Sequence, residues 1–247
     1  MKIPEVPENK QTSSQSNYSG ISLLMDSEQG LKNYSKDIVK QVNSALGIPG
    51  KVINEVVDFG AGAGQLAGIW KDTYGISPIC IELDPSLRNL LVSKGFVTFK
   101  NISFVSNISY IYTSNVLEHI ENDIAVLQDI RKRMQPGGRI AIYVPALPYL
   151  FSELDTSVGH YRRYTRKELI KKTTIAGFKV EKCTWNDSLG VLASMSLKLF
   201  GFKSKMGLGN KNSLIIYDRF IYPISRLLDK LLFRKIIGKN LLLIAKN

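Results

Sequence analysis

Short apolar runs alternate along the chain with segments whose apolar residues recur at helical spacing. A continuous apolar run of strand length is typical of a parallel strand that is buried on both faces. The predicted strands lie at 56–59, 76–81, 97–99, 110–113, 139–146, 178–184 and 240–245, and most of these segments are mainly apolar. Helical spacing is clearest at 27–46, where the apolar face consists of Leu31, Tyr34, Ile38, Val42 and Ala45. Strands that alternate with helices predict an α/β fold built on a mainly parallel sheet.

A glycine-rich turn follows the first predicted strand. The strand ends near Asp58, and Gly60, Gly62 and Gly64 then lead into a helical segment. Glycine allows backbone angles that are closed to other residues, so a ligand can lie directly against the main chain. The helix that follows points the free N–H groups of its first turn toward the same place. Strand, glycine turn and helix together predict a Rossmann-like site for a nucleotide cofactor.

This glycine turn is compatible with two cofactors. Residues 62–67 fit the dinucleotide pattern G-x-G-x-x-A, whereas Asp58 with the three glycines resembles motif I of class I S-adenosylmethionine (SAM) methyltransferases. The carboxylate of Asp58 would repel the pyrophosphate of NAD but would attract the ammonium and sulfonium groups of SAM. Charge therefore favours SAM, although Asp58 could also serve only to cap the turn.

Glu82 ends the second predicted strand, about twenty residues after the glycines, where a carboxylate can accept hydrogen bonds from ribose hydroxyls. Asp84 competes for this role, but Asp84-Pro85 is also a typical helix start, with aspartate as N-cap and proline in the first turn. We therefore assign Glu82 to the ribose and Asp84 to the cap. Residues 100–107, after the third strand, contain no acidic residue, so no adenine contact is assigned.

Two further sequence motifs indicate which group of methyltransferases the chain resembles. The fourth predicted strand runs into N-V-L-E-H at 115–119, and a helix and a P-G-G turn at 136–138 precede the fifth strand. This order resembles the middle of small-molecule class I methyltransferases, including those of quinone methylation. The segment L-D-x-x-x-G-H-x-R-R-Y-T at 154–165 resembles a bacterial and archaeal branch associated with the assembly of surface polysaccharides and lipid-linked glycans. The resemblance covers roughly residues 27–187 and the closing segment 238–246.

The resemblance implies a doubly wound, Rossmann-like, seven-stranded sheet of order 3-2-1-4-5-7-6 that binds SAM. The seventh strand would lie antiparallel between the fifth and sixth. About fifty residues separate strands 6 and 7, far more than a hairpin loop needs, so 188–238 is predicted to form a helical insertion. A polar arm at 1–19 is predicted to be flexible, and 20–247 is predicted to form a single domain. In the cofactor site, the residues expected to contact SAM are Asp58, Gly60, Gly62, Gly64, Glu82 and Asn115.

Both histidines of the chain lie in motif loops. His119 follows the fourth strand and His160 the fifth, at the carboxyl end of the sheet, where ligands of this fold bind. Histidine suits proton transfer near neutral pH, so either residue is a candidate catalytic base for a hydroxyl acceptor. A structural role for His119 within its loop fits the sequence equally well.

Arg162 and Arg163 carry planar guanidinium groups that suit a phosphate or a carboxylate. They are candidates for gripping an anionic acceptor. Pairing inside the loop with Glu153, Asp155 or Glu168 is an equally good interpretation.

The composition of the chain limits the kinds of molecule that it is expected to bind. The 247 residues carry a net charge of +12, which would suit nucleic acid, an anionic lipid or an acidic substrate. The chain contains no basic, aromatic-interleaved tract of an RNA-binding module, so no nucleic-acid partner is expected. Two cysteines, with no Cys/His cluster of zinc spacing, predict neither a disulfide framework nor a metal. The lack of a recognisable secretion signal or membrane span predicts a cytoplasmic protein.

A basic amphipathic helix is predicted within 215–237, between strands 6 and 7. Apolar residues such as Phe220, Leu227 and Leu231 follow helical spacing among lysines and arginines. Such a helix can pack on its own domain, contact a second copy, or lie on the inner face of an anionic membrane. Packing on the domain or against a copy is the commoner arrangement and is the one we expect here.

The sequence thus predicts a SAM-dependent methyltransferase that acts on a hydroxyl group of a glycan or a lipid-linked small molecule. Three alternatives stay open: an RNA methyltransferase, an NAD-dependent oxidoreductase and a non-catalytic SAM-binding protein. No oligomeric state is predicted.

Overall fold

A computed structural model describes residues 30–48, 56–200, 211–231 and 233–247. The arm predicted at 1–19 and the glycine- and lysine-rich stretch at 201–210 lie outside the described residues. The strands are β1 (Val56–Phe59), β2 (Ile79–Ile81), β3 (Thr98–Phe99), β4 (Ile108–Ser114), β5 (Met134–Pro145), β6 (Lys179–Asn186) and β7 (Asn240–Lys246).

The seven strands form one sheet of order β3-β2-β1-β4-β5-β7-β6, which confirms the predicted topology. The pairs from β3 to β5 are parallel. Only β7 runs the other way, antiparallel to both β5 and β6. The carboxyl ends of β1, β2, β4 and β5 therefore meet at one edge of the sheet, which is where ligands of this fold bind.

Helices cover both faces of the sheet and also fill the connection between β6 and β7. Their bounds are α1 (Lys32–Leu46), α2 (Gln65–Tyr74), α3 (Pro85–Ser93), α4 (Asp123–Arg133), α5 (Glu153–Ser157), α6 (Arg166–Ile175), α7 (Gly190–Phe200), α8 (Lys211–Ile216) and α9 (Tyr222–Leu231). A π-helical turn at Tyr217–Ile221 joins α8 to α9, and short 3-10 turns lie at Ile102–Phe104, Leu117–His119, Pro148–Leu150 and Phe233–Lys235.

Alternate residues of the central strands face opposite layers of helices, as the two-residue repeat of a strand requires. In β4, Ile111 packs in the cluster that contains Leu127 of α4, whereas its neighbour Tyr112 packs with Trp70 of α2 and Val42 of α1. Both faces are apolar and buried, which explains why these strands read as continuous apolar runs.

β5 and β2 differ most from their predicted bounds, and the other strands differ by at most two residues at either end. β5 begins at Met134 rather than 139, because Met134 already pairs with Ile108 before the register shifts and Arg139 pairs with Tyr110. The predicted P-G-G turn lies inside this irregularity, where Gly137 has a φ of +83°. β2 is shorter than predicted, since only 79–81 pair with β1.

The predicted helical insertion between strands 6 and 7 is present as α7, α8 and α9. The expected packing of its apolar face on the domain is wrong, whereas contact of that face with a second copy, the other arrangement expected, stays a prediction. Phe220, Ile224, Leu227 and Leu231 are exposed, and the buried side chains of α9 are instead Tyr222, Ser225 and Asp229. None of the helices in the described part of the chain has both the length and the apolar character needed to cross a bilayer.

Candidate active site

The glycine turn after β1 adopts a conformation that requires glycine. Gly60, Gly62 and Gly64 have φ angles of +80°, +55° and +86°, which other residues rarely adopt. A Cβ atom on Gly60 would lie 2.3 Å from Cγ2 of Val116, and one on Gly64 would lie 2.7 Å from Cδ2 of Leu91. The turn is therefore closely packed against the N-V-L-E-H loop on one side and α3 on the other.

Asp58 lies at the carboxyl end of β1 and is buried. Its Oδ2 accepts a hydrogen bond of 2.7 Å from the hydroxyl of Tyr112, the residue that faces it in β4. Burial raises the pKa of Asp58 to about 7, against the opposing effect of the Tyr112 hydrogen bond. The group can therefore respond strongly to a cation bound beside it.

Glu82 follows β2 and ties the end of that strand to the glycine turn. Its Oε2 accepts a 2.8 Å hydrogen bond from the Gly62 amide, and its Oε1 accepts one of 3.0 Å from the Asp84 amide. Asp84 caps α3 as predicted, because its Oδ1 accepts hydrogen bonds from the amides of Ser86 and Leu87. Each oxygen of Glu82 keeps a second lone pair that could accept from a ribose hydroxyl.

Asn115 stands directly after β4, at the same edge of the sheet. Its φ is +54°, a conformation that asparagine tolerates better than most residues. Its backbone N–H donates a 2.8 Å hydrogen bond to the backbone carbonyl of Tyr143, and the residue itself is exposed. This position is consistent with the predicted lining of the pocket.

The structure brings the two histidines together. The rings of His119 and His160 meet edge to face, with centroids 4.5 Å apart. Nδ1 of His160 lies 2.8 Å from Oδ1 of Asp155, and its Nε2 lies 3.9 Å from Oε1 of Glu118. The pair lies between the N-V-L-E-H loop and the G-H-x-R-R-Y-T loop.

Asp155 fixes the orientation of His160. Burial alone would raise the pKa of Asp155, but hydrogen bonds from His160 and Arg163 hold it down to about 2. The carboxylate is thus ionised near neutral pH and favours the tautomer of His160 that carries a proton on Nδ1, which leaves Nε2 able to accept one. His119 differs, because burial and the neighbouring His160 lower its pKa to about 4.

Glu118 is fully buried beside both histidines. Neither of its carboxylate oxygens accepts a hydrogen bond from another residue in the described part of the chain. Burial raises the pKa of Glu118 to about 8, with Arg163 opposing that rise. The carboxyl group is therefore mostly protonated at neutral pH.

Glu118, His119 and His160 are also the described residues that could hold a metal ion, because their ligand atoms lie within 4.8 Å of one another. Two ligands placed about 2.1 Å from one ion can be at most about 4.2 Å apart. Any pair of these atoms that lies farther apart than this would have to move closer before the three side chains could bind an ion together, whereas Nε2 of His160 and Oε1 of Glu118 are already 3.9 Å apart.

Arg162 and Arg163 both form ion pairs with carboxylates of the protein itself. Arg162 pairs with Asp123 at 2.9 Å and donates to the carbonyls of Ile120 and Glu121, whereas the buried Arg163 pairs with Asp155 at 2.9 Å. These contacts match the alternative of internal pairing and argue against a grip on an anionic acceptor. The sequence did not identify Asp123 as a partner, because the contact depends on how two distant loops meet.

An apolar pocket of about 530 Å³ lies beside the G-H-x-R-R-Y-T loop. Its walls come from the loop after β5, from the start of α6 and from the end of β6. The apolar lining residues are Leu147, Pro148, Tyr149, Ile170 and Trp185, and Thr165, Arg166 and Lys167 complete it.

Sheet order, glycine turn and the carboxylates after β1 and β2 define a Rossmann-like fold with a cofactor site at its carboxyl edge. The chain belongs to the methyltransferase domain family, whose model matches residues 31–182, more than half of its 247 residues. It is a SAM-dependent methyltransferase, and SAM is its cofactor. Of the two cofactors that the glycine turn allowed, NAD is thereby set aside. A comparison with curated proteins gave no match.

Solved structures share this fold at low sequence identity. A SAM-dependent methyltransferase from Archaeoglobus fulgidus is 18% identical, with 92% of this chain and 99% of that chain covered and a TM-score of 0.60. A methyltransferase in complex with a Haloferax volcanii methyltransferase activator is 13% identical, with 95% and 99% covered and a TM-score of 0.63. Geranyl diphosphate C-methyltransferase from Streptomyces coelicolor is 11% identical, with 85% and 79% covered and a TM-score of 0.57.

Residues present in the structure fit SAM. The turn leaves no room for a Cβ at Gly60, so only bare main chain faces the site there. A buried carboxylate, Asp58, lies two residues before Gly60, and its negative charge suits the ammonium group of SAM. The sequence did not identify Tyr112 as the partner of Asp58 or Val116 as the residue packed against Gly60. The strand register that pairs Asp58 with Tyr112 is the signal that could have identified Tyr112.

Proposed function

We propose that this methyltransferase methylates a hydroxyl group of a glycan or a lipid-linked small molecule. The observation that carries this proposal is the Asp155–His160 pair, in which a buried carboxylate holds one ring nitrogen at 2.8 Å. A hydroxyl acceptor benefits from a base in this arrangement, whereas a neutral amine would not need one.

The cofactor residues have distinct roles in this proposal. Asp58 and the glycines from Gly60 to Gly64 hold the methionine end of SAM, Glu82 binds the ribose and Asn115 lines the pocket. When bound, SAM supplies the activated methyl group. Methyl transfer depends mainly on holding the acceptor in line with that group, so most of the contribution of the protein is positional.

His160 acts as the base through Nε2, which takes the proton of the acceptor hydroxyl. Asp155 stabilises the imidazolium that results, because its carboxylate stays ionised. His119 stays neutral, since its pKa is about 4, and it packs against His160 to position the ring. Arg163 donates to the same carboxylate oxygen, Oδ1, and so helps to hold Asp155 in place.

A lipid-linked acceptor is favoured by the apolar pocket beside the G-H-x-R-R-Y-T loop. The pocket could take an acyl or isoprenoid chain, and Arg166 and Lys167 could bind a phosphate at its rim. Geranyl diphosphate, the ligand of one fold relative, combines these two chemistries in that protein. An organisation as one domain at 20–247, with a cap at 188–238, belongs to the same proposal. Peripheral contact of residues 215–237 with the inner face of a membrane is a separate proposal, which is argued below.

The test is methyl transfer from isotopically labelled SAM to extracted glycolipids, lipid-free oligosaccharides and RNA, with the wild type and His160→Gln. We expect labelled glycolipid, and we expect the substitution to lower kcat by about 10²-fold or more while S-adenosylhomocysteine binds as before. Labelled RNA, with steeply salt-dependent binding, would favour an RNA methyltransferase. Absence of any labelled product would exclude all three acceptor classes and overturn the proposal.

Dialysis against EDTA distinguishes a mechanism in which His160 is the base from one that uses a bound metal ion. If Nε2 of His160 is a base, activity survives dialysis against EDTA, whereas a metal held by Glu118, His119 and His160 would be removed and activity would be lost.

A further inference from the structure

An apolar stripe on α9 and the π-helical turn faces away from the domain. Phe220, Leu227 and Leu231 are 60%, 58% and 72% exposed, and their spacing places them on one side of the helix. Other large apolar side chains of the same insertion are exposed as well: Leu192, Met195, Leu199, Ile215, Ile216, Ile221 and Ile224. We call the stripe of Phe220, Ile224, Leu227 and Leu231 the insertion face. A contiguous row of exposed apolar side chains on a soluble protein often marks an interaction site.

Buried polar contacts fix the rotation of these helices. Asp218 accepts hydrogen bonds of 2.9 Å and 2.8 Å from the amides of Asn33 and Tyr34, in the first turn of α1. Asp229 accepts 2.7 Å and 3.1 Å bonds from the amides of Asp187 and Ser188. Turning the stripe inward would break these bonds and leave buried amides without partners, which is costly.

Two more polar contacts hold the same side of α9. The hydroxyl of Tyr222 donates a 2.6 Å hydrogen bond to Asp37, and Arg226 pairs with Asp37 at 2.5 Å. The helix is thus amphipathic in the reverse sense of an ordinary surface helix, with its polar side against the protein and its apolar side outward.

Charge on the insertion face has one sign. Within 188–200 and the described residues of 211–247, the acidic side chains are Asp218 and Asp229, and both are buried. The exposed charged side chains of α7, α8, α9 and the turns beside them are all basic: Lys198, Lys211, Arg219, Lys230 and Lys235. An apolar stripe bordered by cations complements the acyl chains and anionic headgroups of a membrane surface.

We propose that the insertion face docks on an anionic lipid bilayer. The exposed apolar side chains enter the boundary between headgroups and acyl chains, and the bordering lysines and arginines contact lipid phosphates. A second copy of the chain is the weaker candidate, because it would bring the same basic border against itself. This inference does not depend on which acceptor is methylated, since docking can be measured without turnover.

The experiment is co-sedimentation of the full chain with vesicles of phosphatidylglycerol and phosphatidylcholine, and with vesicles of phosphatidylcholine alone. We expect binding to the anionic vesicles only, weakened at high salt. The variant Phe220→Ser/Leu227→Ser/Leu231→Ser should lose at least tenfold in vesicle affinity, and Arg219→Gln/Lys230→Gln should lose about fivefold for each cation removed. These side chains are exposed, so both variants should still bind S-adenosylhomocysteine.

Val92→Ser/Ile175→Ser is the matched control, because it removes two apolar residues that are 60% and 52% exposed outside the insertion. It should bind vesicles as the wild type does. Three results would overturn the proposal: no binding of the wild type to anionic vesicles, equal binding of the triple serine variant, or a dimer in solution that this variant dissociates. The last result would identify the insertion face as an interface between copies. Failure of docking leaves the methyl-transfer assay unaffected, so the two proposals fail separately.

Discussion

Asp58 is the residue whose protonation should govern cofactor binding. Its pKa of about 7 in the absence of ligand results from burial, and the ammonium of the cofactor should attract the ionised form. A proton must therefore leave when ligand binds below pH 7, and affinity for S-adenosylhomocysteine should fall by up to about tenfold per pH unit there. Calorimetry at pH 6 and pH 8, in buffers of different ionisation enthalpy, measures both the affinity and the released proton.

Asp58→Asn is the check on this prediction. It should bind S-adenosylhomocysteine weakly at every pH and release no proton. Wild-type affinity that stays constant between pH 6 and 8 would show that Asp58 does not face the cofactor.

Gly60 should not tolerate even the smallest side chain. Gly60→Ala would place a side chain at a φ of +80°, with its Cβ 2.3 Å from Val116. We therefore expect the free energy of unfolding to fall by about 1–3 kcal/mol. We also expect at least tenfold weaker binding of S-adenosylhomocysteine. Gly68→Ala is the matched control, since among the described residues a Cβ added there would meet nothing within 4 Å outside its own helix, and alanine favours a helix. Urea denaturation and calorimetry on both variants measure these effects; equal behaviour would contradict the prediction.

Glu118 should make the protein less stable as pH rises. The unfolded chain releases this proton near pH 4.5, whereas the folded protein holds it until about pH 8. The folded state therefore binds more protons in that window, and the free energy of unfolding should fall by up to about 1.4 kcal/mol per pH unit. Glu118→Gln should flatten the fall between pH 5 and 8 in urea denaturation, and Glu121→Gln, an exposed control, should not.

Among single residues, the sequence predicted the positions of those that lie at or just after the end of a strand, and their roles stay predictions. Asp58, Glu82 and the glycines all lie at the carboxyl edge, and Asp84 caps α3 as predicted. The partners of these residues could not be identified in the same way. The contact between His160 and Asp155 depends on the fold of one loop, and that between Asp58 and Tyr112 on strand register.

At the level of helices, α1 depends on a residue far away in the chain. Leu31 precedes it and provides no side-chain cap, so Asp218 takes that role for the amides of Asn33 and Tyr34. Asp218→Ala should therefore lower the free energy of unfolding by about 1–3 kcal/mol, measured by urea denaturation. Asp129→Ala removes an exposed carboxylate whose ion pair with Lys132 is also exposed, and should change it by less than about 0.5 kcal/mol.

Helical periodicity located α9 but not the direction of its apolar side. The pattern of Phe220, Leu227 and Leu231 predicted burial, since an apolar stripe usually faces the core. The structure orients the helix through Asp218 and Asp229 instead. Such an orientation depends on distant hydrogen bonds that periodicity does not report.

Across the whole molecule, sheet order was predictable because family resemblance and strand pattern agreed on it, and the observed order matches strand for strand. The cofactor site and the insertion face occupy different parts of the same fold. One is built from the loops after β1, β2 and β4, and the other from the connection that leaves the same edge of the sheet after β6. A variant that impairs cofactor binding should therefore still dock on vesicles, and a variant that impairs docking should still bind cofactor. Each set of variants thus serves as a control for the other.

The position of β7 has a consequence for the synthesis of the protein on the ribosome. β7 is made last of the seven strands, yet it supplies the pairing between β5 and β6. Until residues 240–246 have emerged, β5 has an unpaired edge and β6 has no partner in the sheet. A nascent chain at that stage carries strand edges open to wrong pairing, so its vulnerable period extends from the emergence of β6 to that of β7.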